Sequence, residues 1–197
     1  MTRTDLVALV GSRICHDLIS PIGAIGNGME LISLAGGDPS AELSLISDSV
    51  AHANARIRFF RIAYGAVTKD QMIGQCEILS VLAATAKGGR LSYNWHPTGD
   101  QPRQMVRMAF LLLQCIETAL PLGGTIQINC HNDHWSLVGE GRRLAIDEVL
   151  WANLTRPGSS FTHGPAQVQF ALLPEVLAEN GRKLTLSIAE NRVVARF

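Results

Sequence analysis

Apolar residues recur at spacings of three and four over the first third of the chain, in two separate runs. In the first, Val7, Val10, Ile14, Leu18, Ile22, Ile25, Met29 and Ile32 share one narrow stripe when projected at about 100° per residue. In the second, Leu43, Ile46, Val50, Ala53, Ile57, Phe60 and Tyr64 alternate in steps of 3 and 4, the seam of a helical bundle. Between them lies Ala35-Gly36-Gly37-Asp38-Pro39-Ser40. Glycine stops the first helix, proline blocks its continuation, and Ser40 with Glu42 close behind caps the second. Residues 5 to 65 therefore read as a helical hairpin. Two helices alone leave both stripes uncovered, and the simplest closed solution is a twofold pair of hairpins in a four-helix bundle. A homodimer follows from that burial problem.

After Gly65 the periodicity changes, and Val67-Thr68-Lys69-Asp70 reads as a connection between a hairpin unit (1–66) and a mixed unit (70–197). The second unit predicts helices near 75–87, 103–120, 145–154 and 165–180. It predicts a strand near 90–95 and hairpins at 125–139 and 183–197. Leu184 to Ile188 and Arg192 to Phe197 alternate as half-buried antiparallel strands do. The fold class is α+β, a helical hairpin followed by an α/β sandwich with helices on one face.

Composition narrows the partners. Seventeen basic and seventeen acidic side chains cancel, so no net field recruits nucleic acid or an anionic membrane. The amino terminus has no apolar signal core, and no apolar run approaches the roughly 20 residues of a membrane span; a cytoplasmic protein is expected. Cys15, Cys76, Cys115 and Cys130 form no Cys-x-x-Cys pair, the pattern of reduced thiols. Cys130-His131-Asn132-Asp133-His134 is a possible metal cluster, but Asn-Asp between apolar strands is turn chemistry.

The chemistry concentrates in His16-Asp17-Leu18-Ile19-Ser20-Pro21. His16 projects away from the apolar stripe, among Ser12, Ser20, Gly23 and Asn27, small or polar neighbours that leave the imidazole open to a visiting protein. Pro21 removes a backbone donor and predicts a bend just beyond the histidine. Imidazole beside a carboxylate is a nucleophile at neutral pH, the chemistry of a phosphorylatable histidine. Gly23, Gly26 and Gly28 each cost about 1 kcal/mol in a helix relative to alanine, so close approach is expected, either by a partner at Gly23 or by packing within the bundle. Arg56, Arg58 and Arg61 read as a solvated face rather than a docking site.

A hairpin bearing an exposed His-Asp-x-x-Ser-Pro, followed by an α/β sandwich, resembles the catalytic portion of a sensor histidine kinase. His16, Asp17 and Pro21 match the kinase H box, and Met108 to Ile128 resembles the N-box helix and following strand. The nucleotide residues differ. Leu111 and Cys115 stand where the kinase helix carries asparagines, and neither supplies a hard oxygen for magnesium. Val138-Gly139-Glu140-Gly141 has no adenine-reading aspartate, and the segment from Pro157 to Pro165 has no Gly-x-Gly-x-Gly loop. A phosphoacceptor hairpin joined to such a degenerate ATPase-like unit resembles the ChpT-like histidine phosphotransferases of alphaproteobacteria, on Arg13-Ile14-Cys15-His16-Asp17, Ile19-Ser20-Pro21 and Ala119-Leu120-Pro121-x-Gly123-Gly124.

That resemblance implies a dimeric relay. Its His16 takes a phosphoryl group from the receiver domain of a hybrid histidine kinase and passes it to a response regulator, in this family the regulators of cell-cycle transcription and proteolysis. Asp17 orients the imidazole or accepts its proton. Ser20 either hydrogen-bonds the phosphoryl group or is inert. Arg13, Gly23 and Asn27 are candidate partner-binding residues, with a solvated arginine as the alternative at Arg13. No cofactor is expected on this chain, magnesium being supplied by the receiver. The competing expectation is an ATP-dependent histidine kinase with an atypical nucleotide site, and more distant classes are a metal-dependent HD hydrolase and a non-catalytic scaffold.

Overall fold

The computed structural model describes residues 3–34, 40–156 and 164–197. The expected interhelical turn and most of the shortened lid segment lie outside the described residues. Helix α1 spans Arg3–Leu34 and continues through Pro21, and α2 spans Ser40–Tyr64. The two pack side by side at Gly28, where an added Cβ would lie 2.6 Å from Ile46 Cγ1. The glycine thus serves close approach within the hairpin.

The second unit begins with strand β1 (Met72–Ile73), helix α3 (Gln75–Ala86), β2 (Leu91–Trp95), β3 (Gln101–Pro102) and helix α4 (Arg103–Ala119). It continues with β4 (Gly124–His131), β5 (His134–Glu140), α5 (Glu148–Thr155), a 3₁₀ turn at Pro165–Gln167, α6 (Val168–Glu179), β6 (Thr185–Ile188) and β7 (Arg192–Arg196). Five strands form one sheet in the order β2-β4-β5-β7-β6, with β2 parallel to β4 and the other neighbours antiparallel. The expected helices, strand and hairpins are all present. The short β1–β3 ladder was not expected, because two-residue strands leave no periodic signal.

One face of the sheet lies in the core: Trp95, Ile126, Ile128, Trp135, Leu137, Val193 and Ala195 are buried in a single cluster with residues of α4 and α6. Helix α4 is the centre of this layer and is buried nearly all round, as a helix enclosed on every side must be. The β4–β5 hairpin turns on Asn132 and Asp133 with φ of 49° and 62°, the left-handed pair of a two-residue turn. His134 Nδ1 bonds the Asn132 carbonyl at 2.8 Å, so this stretch is a hairpin tip. Among the described residues, no three His, Cys, Asp or Glu side chains converge as a metal site. Gly123, with φ of 89°, closes the turn from α4 to β4; a Cβ there would meet the Arg90 carbonyl at 2.3 Å.

The last two turns of α2 do not follow the expected bundle seam. Phe59, Phe60, Ile62 and Ala63 are buried in the core that α4 organises, and Phe59 lies 4.8 Å from Phe110 between ring centroids. Tyr64 donates to Gln114 Oε1 at 2.7 Å. Carbonyls near the end of α2 accept from Arg103 (to Arg61 O, 2.7 Å) and Arg107 (to Ala63 O, 3.3 Å), which satisfies groups that a helix end leaves open. The three arginines read as a solvated face also make contacts: Arg58 donates to Ser80 and Arg61 pairs with Glu77, both on α3, while Arg56 turns toward Asp17. They join the hairpin to the second unit and to itself.

The remaining seam is open in the single chain. Val7, Ile22 and Met29 on α1 and Leu43, Val50 and Ile57 on α2 are exposed. Against the expectation that no apolar run reaches that length, Asp5–Ile32 is long and apolar enough, by length and composition alone, to cross a membrane.

Candidate functional site

His16 stands at the middle of α1 with its side chain 78% exposed. Its Nδ1 lies 3.1 Å from Asp17 Oδ1. A carboxylate only accepts hydrogen bonds, so in the neutral imidazole this contact selects the tautomer with the proton on Nδ1 and the lone pair on Nε2.

Asp17 is withdrawn from water, its side chain 11% exposed. Arg13, one turn earlier, donates from Nε to Asp17 Oδ2 at 3.1 Å, and Arg56 of α2 brings Nη1 to 4.0 Å of the same oxygen. Arg13 also donates from Nη1 to the Ala166 carbonyl at 2.8 Å. Its side chain is 15% exposed. The residue expected to offer a free cation to a partner is therefore engaged within the chain, because the 3₁₀ turn brings a carbonyl against α1.

His16, Asp17 and Ser20 line one side of an open cleft of about 510 Å³. His52 and Arg56 of α2 and Lys87 and Gly88 beyond α3 line the other. Gly23 and Asn27 are exposed on the flank of α1 that bears His16, and a Cβ at Gly23 would meet nothing within 4 Å. The structure thus gathers His16, Asp17 and Ser20 at the cleft and leaves Gly23 and Asn27 beside it, facing solvent.

A second cavity, of about 280 Å³, shares Arg56 with the first and contains Tyr93 and Glu117. Tyr93 donates to Glu117 Oε1 at 2.7 Å. Burial pushes the Glu117 carboxyl above the usual carboxylate range, against the pull of the Tyr93 hydrogen bond and of Arg56 and Arg13. Burial and the neighbouring carboxylate push the Tyr93 phenol up as well. Arg56, Lys87, Tyr93 and Glu117 were not singled out for this site from the sequence. One signal was present for Arg56: Ala55, Phe59 and Ile62 form a second apolar stripe beside the seam, so α2 has two covered faces with Arg56 at the margin of one.

Leu111 and Cys115, which occupy the nucleotide-asparagine positions of the kinase resemblance, are both fully buried in the core. Burial also raises the Cys115 thiol well above its ordinary value. Neither side chain presents an oxygen to a triphosphate or a metal.

Comparison with known proteins agrees with this architecture. Residues 76–192 match the family model described as the histidine phosphotransferase C-terminal domain. Protein phosphotransferase ChpT of Brucella abortus (strain 2308) is 35% identical over 130 residues, 65% of this chain. The matched region covers 62% of the length of that relative. A solved bacterial phosphotransferase superposes with a TM-score of 0.84 at 27% identity, over 100% of this chain and 97% of the other. The histidine kinase ThkA, solved in complex with response regulator protein TrrA, shares the fold at a TM-score of 0.50 and 15% identity, over 99% of this chain and 62% of the other.

Proposed function

Because the chain belongs to the histidine phosphotransferase family, we propose that it relays a phosphoryl group through His16 between receiver-domain aspartates, from a hybrid histidine kinase to a response regulator in the cytoplasm. The observation that carries this reading is the exposed imidazole with Nδ1 held 3.1 Å from Asp17 Oδ1 and Nε2 free.

In the forward step Nε2 attacks the phosphorus of an aspartyl phosphate in line. The N–P bond forms as the P–O bond to the receiver carboxyl breaks, and the receiver carboxylate leaves. The product is an N-phosphorylated imidazolium. Its positive charge sits beside Asp17, which accepts the hydrogen bond from Nδ1–H and steadies the ring without itself taking part in the bond exchange. Ser20 lines the same cleft and in this reading donates to a phosphoryl oxygen. Reversal delivers the group to the next aspartate. The divalent ion and lysine that such transfers use come in this reading with the receiver, and the chain supplies nucleophile, orientation and docking surface.

The exposed stripes on α1 and α2 support a homodimer, with the four helices covering one another as a bundle. The buried Leu111 and Cys115 favour the relay over the kinase alternative. The deciding experiment presents the purified chain with labelled ATP alone and, separately, with a phosphorylated receiver. Label from the receiver, lost in His16→Gln, is expected; label from ATP alone would restore the kinase reading.

A further inference from the structure

The Asp17 carboxylate is tied to the second unit through Arg13, and from this we infer that Arg13 is a positioning residue by which that unit sets the tautomer of His16. The inference rests on His16 as the phosphoacceptor proposed above.

Arg13 and Asp17 are four residues apart on one helix, a pairing worth only a few tenths of a kcal/mol on an exposed surface. Here both side chains are nearly withdrawn from water, and the guanidinium makes a second contact that an ordinary helix pair lacks. Its Nε bonds Asp17 Oδ2 and its Nη1 bonds the Ala166 carbonyl. Guanidinium nitrogens lie in one plane, so fixing Nη1 on Ala166 fixes the direction in which Nε–H points. Ala166 belongs to the 3₁₀ turn of the second unit, and its carbonyl also accepts from Gln169 Nε2 at 3.2 Å.

The carboxylate is in turn oriented. With Oδ2 held by Arg13 and approached by Arg56 from α2, Oδ1 is left for His16 Nδ1. An acceptor at Nδ1 requires the proton there and leaves the lone pair on Nε2, the nitrogen open to a partner. The sequence of contacts is Ala166, Arg13, Asp17, His16. It gives the second unit a part in phosphoryl transfer that needs no nucleotide. It also removes Arg13 from the set of residues that meet the receiver.

The test uses the full chain and a donor too small to need docking. Phosphoramidate phosphorylates Nε2 directly: the N–P bond forms, the P–N bond of the donor breaks, and ammonia leaves. In wild type, ¹⁵N spectra above the imidazole titration should show a single Nδ1–H tautomer at His16. In Arg13→Gln they should show a mixture, with the phosphoramidate rate lowered severalfold, in proportion to the fraction of the ring that has left the Nδ1–H form. Arg13→Lys keeps the charge but cannot hold both oxygens in one plane, and should not restore either readout. An unchanged tautomer and phosphoramidate rate in Arg13→Gln would overturn the inference, and with loss of receiver transfer alone would return Arg13 to the docking surface. Full rescue by Arg13→Lys would also overturn it, since charge alone would then suffice. A wild type labelled by phosphoramidate but by no phosphorylated receiver would sink the relay and leave the tautomer result to decide this inference separately.

Discussion

Tyr93 donates its phenolic hydrogen bond to Glu117, Oη to Oε1 at 2.7 Å, at the wall of a cavity that Arg56 also faces. Burial is the main reason the Glu117 carboxyl titrates above its ordinary value of 4.5. A carboxyl whose folded value is raised stabilises the fold fully below the unfolded value and loses that contribution as pH rises through the folded one. Glu117→Gln keeps an acceptor for Tyr93 and removes the titration. The variant should therefore gain on wild type as pH rises from about 4.5 toward neutrality, read as a widening difference in melting temperature. A constant difference across that window would show that Glu117 ionises as freely in the folded chain as in the unfolded one.

Asp17→Asn tests the orienting carboxylate itself. An amide both donates and accepts, so it no longer dictates the proton on His16 Nδ1. Single-turnover transfer from a phosphorylated receiver should slow by about a hundredfold, the scale of a nucleophile no longer held in its productive geometry. His16→Gln should accept no acid-labile label at all. A slowing of less than twofold in Asp17→Asn would mean that His16 finds its reactive tautomer unaided.

The helix glycines should separate by sign. Gly28→Ala places a methyl 2.6 Å from Ile46 Cγ1, and overpacking of about 1–3 kcal/mol outweighs the roughly 1 kcal/mol of helix propensity gained. Gly23→Ala meets open space and should stabilise by up to about 1 kcal/mol. If a receiver seats on this flank, the same substitution slows transfer while raising stability. Urea melts paired with transfer rates read both quantities.

The open seam predicts association. Val50→Arg puts a guanidinium into the middle of the stripe formed by Leu43, Val50 and Ile57. Sedimentation should give a dimer for wild type and a monomer for the variant. A wild-type monomer at micromolar concentration would require another cover for these side chains.

Much of this arrangement was legible from residue order. The alternation of Leu184 to Ile188 and Arg192 to Phe197 marked the final hairpin, and the Asn132-Asp133 pair marked the turn between β4 and β5. Their signals are local, set by side-chain period and by backbone conformations that few residues tolerate. His16 stood out for the same reason, since a helix projection places it without reference to the rest of the chain.

What escaped was set by contacts between distant segments. Phe60 and Tyr64 continue the seam spacing, yet the core around α4 claims them, because α2 passes from one packing environment to another without a change of period. Arg13 reads as a candidate partner contact and Arg56 as a solvated cation until the fold brings the Ala166 carbonyl to the first and Asp17 to the second. Glu117 has no signal in its own helix that distinguishes it from a solvated acid, and its environment comes from Tyr93 on a neighbouring strand.

The carbonyls that Arg103 and Arg107 cap at the end of α2 bear on how the protein is divisible. A chain cut after Gly65 would lose those donors and bare Phe59, Phe60 and Ile62, whose burial is worth roughly 1.5–3 kcal/mol apiece. The histidine-bearing helices are therefore no portable cassette. Grafted alone onto another protein they would fray from the end nearest the graft, and in the intact chain they should melt together with the sheet in one cooperative step.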